Sequence, residues 1–139
     1  MLLSKIPPLH AETSTRILIV DQDRQIGMTL SFMLATRRFD EVRAVRSAKR
    51  AMAIAERFLP DIVFLDLELP DGGGIPVARQ LVRDASKRRP RLIALTRHPE
   101  DPMYDKARAV GFERLLLKPV SHQELDRILG ISTAGSVAA

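Results

Sequence analysis

The sequence predicts an α/β fold, a parallel sheet with helices on both faces, and three observations carry that reading. Short apolar runs without alternation recur along the chain: Ile17 to Val20, Ile62 to Leu65, Leu92 to Leu95 and, shorter, Leu115 to Leu117. Runs of this kind, rich in Ile, Val and Leu, suit strands covered on both faces. Between them the apolar period changes to that of a helix, and the breaks fall on residues that cap helices or turn chains. Strands that alternate with helices in this way predict a parallel sheet held between its own crossovers.

The elements follow in order. After the first strand, Ile26, Leu30, Met33 and Leu34 fall at i, i+4, i+7 and i+8, one face of a helix. Glu41 to Val45 is short and alternates charged residues with Val42 and Ala44, the pattern of an edge strand. Ser47 is placed to cap a second helix striped by Ala48, Ala51, Met52 and Ala55. The third strand, Ile62 to Leu65, leads to a helix carrying Val77, Ala78, Leu81, Val82 and Ala85, with Pro76 near its start. Beyond the fourth strand, Asp101 and Pro102 read as an N-cap and a first-position proline, and Gly111 stops that helix. Ser121 followed by Glu124 is a capping-box pattern ahead of the stripe Leu125, Ile128 and Leu129, which Gly130 ends.

Composition narrows the functions available. The chain has 139 residues, 45% apolar and 28% charged, which is one ordinary globular domain. With no cysteine there is neither a disulfide nor a thiolate metal site, and a reducing, cytoplasmic compartment is expected. His10, His98 and His122 are too scattered for a histidine metal motif. A net charge of +5, from 22 basic and 17 acidic residues, together with the run SKRRPR at Ser86 to Arg91, raises the question of nucleic acid. The basic residues are spread along the chain, however, and one Tyr and five Phe offer no stacking platform among them. No nucleic-acid partner is expected, and the run reads as a solvated loop. The opening MLLSKIPPLHAETST is broken by Lys5, Pro7 and Pro8, and no apolar run approaches the roughly 18 residues of a membrane span. Neither secretion nor a membrane partner is expected.

The chemistry gathers where the strands end. In a sheet of this kind the useful groups lie outside the carboxyl ends of the strands, at the point where strand order reverses. Asp21 ends the first strand, with Asp23 close behind; Asp66 ends the third, Thr96 the fourth, and Lys118, followed by Pro119, the fifth. If the order is 2-1-3-4-5, strands 1 and 3 are neighbours and Asp21 faces Asp66. Two such charges repel by roughly 4 kcal/mol at about 4 Å and an effective dielectric near 20, and one lysine does not offset three carboxylates. Hard oxygen ligands on loops select a hard cation, and Mg²⁺, which keeps several waters, suits the set. A carboxylate is also a nucleophile toward phosphorus, with the metal and Lys118 neutralising phosphoryl oxygens and Thr96 donating a hydrogen bond. Asp66 therefore reads as a phosphoryl acceptor. Taken singly, the same residues have plainer uses. Asp21 or Asp23 would serve as a helix N-cap, Asp71 with three glycines as a turn, Thr96 as a strand-end hydroxyl and Lys118 as a surface lysine. The chain has no G-x-S-x-G elbow, and DGGG is not a nucleotide-binding glycine loop.

In the segments ILIVDQD, DIVFLDLELPDGGG, LIALT and LLLKP, taken in order, the sequence resembles the receiver domain of two-component response regulators, over about Arg16 to Gly130. The resemblance implies a flavodoxin-like, doubly wound five-stranded sheet in the order 2-1-3-4-5. It implies a receiver at 16–130; outside it, the extension at 1–15 and the small, polar tail ISTAGSVAA at 131–139 are expected to be flexible. By it, Asp66 is the phosphoacceptor, Thr96 the switch hydroxyl and Lys118 the phosphoryl contact across a cis Lys118–Pro119 bond. Asp21 and Asp66 are then Mg²⁺ ligands together with the Glu68 backbone carbonyl. The donor would be a histidine kinase or histidine phosphotransfer protein and the output a protein contact, with self-modification but no turnover enzyme. Three positions depart from the family pattern. Gln22 stands where a second acid usually binds the metal, which weakens the expected Mg²⁺ site. Asp23, one residue later, is either a metal ligand or the N-cap of the first helix. Arg97 replaces a small residue after the switch hydroxyl, and Leu115 replaces an aromatic. The alternative is therefore a degenerate receiver that no longer accepts phosphate and acts as a constitutive interaction module.

Overall fold

In a computed structural model the chain is described over residues 14–84, 89–98 and 102–132. Five strands, β1 (Ile17–Val20), β2 (Val42–Val45), β3 (Ile62–Asp66), β4 (Arg91–Thr96) and β5 (Phe112–Leu117), alternate with five helices. The helices are α1 (Arg24–Thr36), α2 (Ala48–Phe58), α3 (Gly74–Asp84), α4 (Met103–Val110) and α5 (His122–Leu129). The strands form one parallel sheet in the order β2-β1-β3-β4-β5. The expected α/β class and strand order are both present.

The unbroken apolar runs follow from the two faces. Leu18, Val20, Val63, Leu65, Leu92 and Ala94 point to one side, under Ala51 and Ala55 of α2, Val77, Ala78 and Leu81 of α3, and Ala107 of α4. Ile17, Ile19, Ile62, Phe64, Ile93 and Leu95 point to the other, under Leu30, Met33 and Leu34 of α1 and Leu125 and Ile128 of α5. Side chains alternate sides along a strand, so a sheet covered twice needs apolar residues at every position. Each such side chain stabilises the fold by roughly 1.5–3 kcal/mol relative to exposure. Among the described residues β2 has no second neighbour, and there Arg43 and Ala44 remain exposed while Val42 and Val45 are half-buried, as an edge requires.

Most of the expected punctuation is in place. Ser47 and Ser121 cap α2 and α5 through the amides of Arg50 and Glu124, and Gly111 and Gly130 close α4 and α5. Three readings change. β5 begins at Phe112 and lies at the second sheet edge, so it is only partly covered, with Phe112 and Leu116 buried and Glu113, Arg114 and Leu117 exposed. Arg91 does not belong to a solvated loop: it opens β4 and forks onto Glu113 at 2.8 and 3.0 Å, with a third bond to the Ile128 carbonyl. Pro102 flanks α4 one residue before its first, and the expected cap Asp101 lies outside the described residues. So do Ala85, Ser86 to Arg88, residues 1–13 and residues 133–139, which include most of both expected extensions.

Candidate functional site

The register brings the strand ends level. Val20 pairs with Leu65, Asp66 with Leu95, and Thr96 with Leu117, so the residues after β1 and at the end of β3 sit side by side. Asp66 is fully buried. Its Oδ1 accepts a hydrogen bond from the Glu68 amide at 2.8 Å and lies 3.1 Å from Lys118 Nζ. Its Oδ2 is buried with no hydrogen-bond partner. Asp21, equally buried, accepts from the Asp23 amide at Oδ1 and has Lys118 Nζ 2.7 Å from Oδ2. At that distance the ammonium neutralises Asp21 Oδ2 by charge, though off the direction of a well-formed hydrogen bond. Lys118, with a side chain 3% exposed and a cis bond to Pro119, is thus no surface lysine.

Two buried carboxylates share this one ammonium. Burial pushes the Asp21 carboxyl above its ordinary range, the Lys118 and Asp23 contacts pull it back, and the charge of Asp66 adds to the rise. A buried anion without enough partners is costly, so the cluster is poised for a cation or for an electrophile.

The residues around it are engaged in ways the sequence did not reveal. A carbonyl oxygen only accepts, so the Gln22 amide turns its nitrogen to the Glu68 carbonyl, at 2.9 Å. Asp23 points away from the cluster: Oδ1 caps α1 through the Gln25 amide and Oδ2 pairs with Arg97 at 2.8 Å. Its N-cap reading holds, and the structure does not bring it into the carboxylate pair. The Thr96 hydroxyl is buried and turned onto its own loop, accepting from the His98 amide at 3.1 Å. His98 in turn stands 3.6 Å from Glu68 Oε1. Gln22, Asp23, Glu68, Arg97 and Lys118 line a polar cleft of about 310 Å³, with Lys118 reaching from it to both buried carboxylates.

A divalent cation fits this set in part. Asp21 and Asp66 offer buried oxygens, one of them without a partner, and Mg²⁺ is commonly held by one or two carboxylates and several waters. The Glu68 carbonyl is a third ligand only once the Gln22 amide releases it. Among the described residues no three His, Cys, Asp or Glu side chains gather as a metal cluster.

Sequence reasoning passed over two residues here. Arg46 donates to the Gln22 carbonyl at 3.2 Å, and Asp71, read as a turn, caps α2 from a distance through the amides of Ala48 and Lys49. No local pattern marks a bond between residues 22 or 23 positions apart. Gly74 is more than part of a turn: a Cβ there would collide with the Asp66 carbonyl oxygen, so only glycine lets α3 begin against the end of β3.

Comparison with known proteins identifies the family and the fold. The family described as response regulator receiver domain matches residues 17–129. The transcriptional regulatory protein PdtaR of Mycobacterium tuberculosis is 30% identical over 115 residues, 83% of this chain but only 55% of that protein. The chain therefore spans about half the length of that relative. The polar-differentiation response regulator DivK of Brucella ovis is 27% identical over 107 residues, 77% of this chain and 87% of DivK. The chemotaxis protein CheY4 of Vibrio cholerae superposes with a TM-score of 0.76 at 22% identity, covering 84% of this chain and 96% of that one, a likeness of fold.

Proposed function

This chain belongs to the response regulator receiver domain family, and on that premise we propose that it accepts a phosphoryl group on Asp66 and signals through contacts with other proteins. Receiver domains are signalling modules of two-component systems and not turnover enzymes. The observation that supports Asp66 as the acceptor is its Oδ2, buried at the strand end without a hydrogen-bond partner while Oδ1 is held by the Glu68 amide and Lys118. Holding one oxygen leaves the other as the unpaired nucleophile.

The proposed step is an in-line displacement. Asp66 Oδ2 forms the new bond to phosphorus as the bond to the donor's imidazole nitrogen breaks. The electron pair leaves with the imidazole, whose other ring nitrogen carries a proton, so that it ends as neutral imidazole. Lys118 Nζ, already beside Asp66, meets one phosphoryl oxygen, and the Thr96 hydroxyl meets another after leaving its contact with the His98 amide. A bound Mg²⁺ would supply further neutralisation of phosphoryl charge, held by Asp21, Asp66 and the Glu68 carbonyl. The donor is proposed to be a histidine kinase or a histidine phosphotransfer protein, and the site of action the cytoplasm. No helix among the described residues is long and apolar enough to cross a membrane.

A second reading has its own support. Gln22 occupies the Glu68 carbonyl and Arg97 occupies Asp23, so two expected metal contacts are taken by the chain itself, as in a receiver that binds partners without phosphorylation. Incubation with Mg²⁺ and a small phosphodonor separates the two. An added phosphoryl mass that disappears in Asp66→Asn and persists in Asp71→Asn supports the acceptor reading. Full labelling of Asp66→Asn sinks it, and no labelling of the unaltered protein leaves the interaction module.

A further inference from the structure

Asp71 is exposed, yet both of its carboxylate oxygens are used. The Ala48 amide donates to Oδ1 at 3.0 Å and the Lys49 amide to Oδ2 at 3.1 Å. These are first-turn amides of α2, which have no partner within their own helix. The helix's own cap, Ser47, takes only the Arg50 amide. The N-terminus of α2 is therefore completed by the loop that leaves Asp66.

That loop has little slack. The Leu67 amide is bonded to the Leu95 carbonyl, Gly73 N to Leu69 O at 2.8 Å, and Gly74 N to Leu67 O at 3.2 Å. Gly74 rests against the backbone of Asp66 too closely for any side chain. These contacts fix the loop at Leu67, Leu69, Gly73 and Gly74, on either side of Asp71. The same junction is tied from the other side: Arg46, just before Ser47, holds the Gln22 carbonyl, and the Gln22 amide holds the Glu68 carbonyl. Glu68, Gln22, Arg46, the start of α2 and Asp71 close a ring beside the cleft.

We propose that Asp71 is a positioning residue for the acceptor loop, keeping the Glu68 amide on Asp66 and coupling phosphorylation of Asp66 to the N-terminus of α2. The proposal rests on Asp66 as acceptor. Its role is distinct from a cap that merely stabilises α2, because a cap would not make α2 respond to the acceptor.

The test uses the full chain labelled with nitrogen-15, with beryllofluoride and Mg²⁺ as the phosphate mimic. In the unaltered protein the amides of Ala48 and Lys49 shift together with those of Glu68 and Thr96. In Asp71→Ala, Glu68 and Thr96 still respond while Ala48 and Lys49 fall silent. Half-saturation by the mimic then needs on the order of 10-fold more of it, as for loss of a group that orients a ligand. Asp71→Asn, which keeps one accepting oxygen, falls between the two. The proposal is overturned if Ala48 and Lys49 stay still in the unaltered protein while Thr96 moves, or if α2 responds in Asp71→Ala as before. Silence at all four positions in the unaltered protein removes the acceptor reading itself, and this coupling with it.

Discussion

Lys118 carries one positive charge between two buried carboxylates, and that imbalance shapes what single residues do. Burial and the Asp66 charge both act against ionised Asp21, so the metal-free protein carries strain that a neutral side chain removes. Asp21→Asn should stabilise the metal-free protein at neutral pH, read as a higher urea midpoint. Excess Mg²⁺ should erase that advantage, because only the unaltered protein gains from the cation. An Asp21→Asn protein less stable than its parent without metal would refute this account of the pair. Gln22 makes the complementary case. Replacing it by Asp removes the amide from the Glu68 carbonyl and adds a charge, so Mg²⁺ should bind about 10-fold tighter. Unchanged affinity in a titration would mean that the Glu68 carbonyl takes no part.

Elements are joined at their ends by groups that titrate. Arg91 at the start of β4 holds Glu113 of β5 and keeps its carboxyl below the ordinary range, while the α2 amides do the same for Asp71. A depressed carboxyl contributes stability that is present above its unfolded value, about 4, and lost as pH falls through the lower folded value. Urea midpoints should therefore drop as the solution is acidified below about pH 4, and Glu113→Gln should flatten part of that drop. Both partners of the Arg91 pair are 42% exposed, so the effect is small and salt-sensitive. Termination of α2 offers a clearer gain. Leu59 closes that helix at φ 52° while 62% exposed, a left-handed position that glycine adopts without cost. Leu59→Gly should raise stability by roughly 0.5 kcal/mol, the relief of left-handed strain offset in part by a more flexible unfolded chain. A loss in the unfolding free energy would show that the Leu59 side chain packs more than its exposure implies.

Across the whole molecule the open matter is where a signal would leave. The resemblance points to an aromatic at the Leu115 position, but Leu115 packs half-buried on the cluster under α4 and has no ring to turn. Arg97 instead bridges the cleft to Asp23, held by a charge-assisted bond that an incoming phosphoryl group would compete for. A phosphate mimic should therefore shift the Arg97 side chain more than the Leu115 methyls. Large changes centred on Leu115 with Arg97 silent would count against that route. Together with the proposed coupling to the α2 amides, a response at Arg97 would give the site two exits that do not depend on a moving aromatic.

Much of this is legible in the sequence. Apolar runs at Ile17, Ile62 and Leu92, set between helical stripes, are what burial on two faces demands, and they determined the alternating elements. Asp21, Asp66, Thr96 and Lys118 stood out because a polar residue ending such a run has few reasons to be there. Strand order came only through the resemblance, since period says which residues are buried and not which strands are neighbours. The tertiary structure alone decided how the carboxylates share Lys118, that Gln22 closes the Glu68 carbonyl, and that Asp23 turns out to Arg97. It also decided that Asp71 caps a helix begun more than twenty residues earlier. Those are contacts between side chains and loops distant in sequence, each set by where the backbone happens to place a donor within about 3 Å of an acceptor, and no local spacing records them.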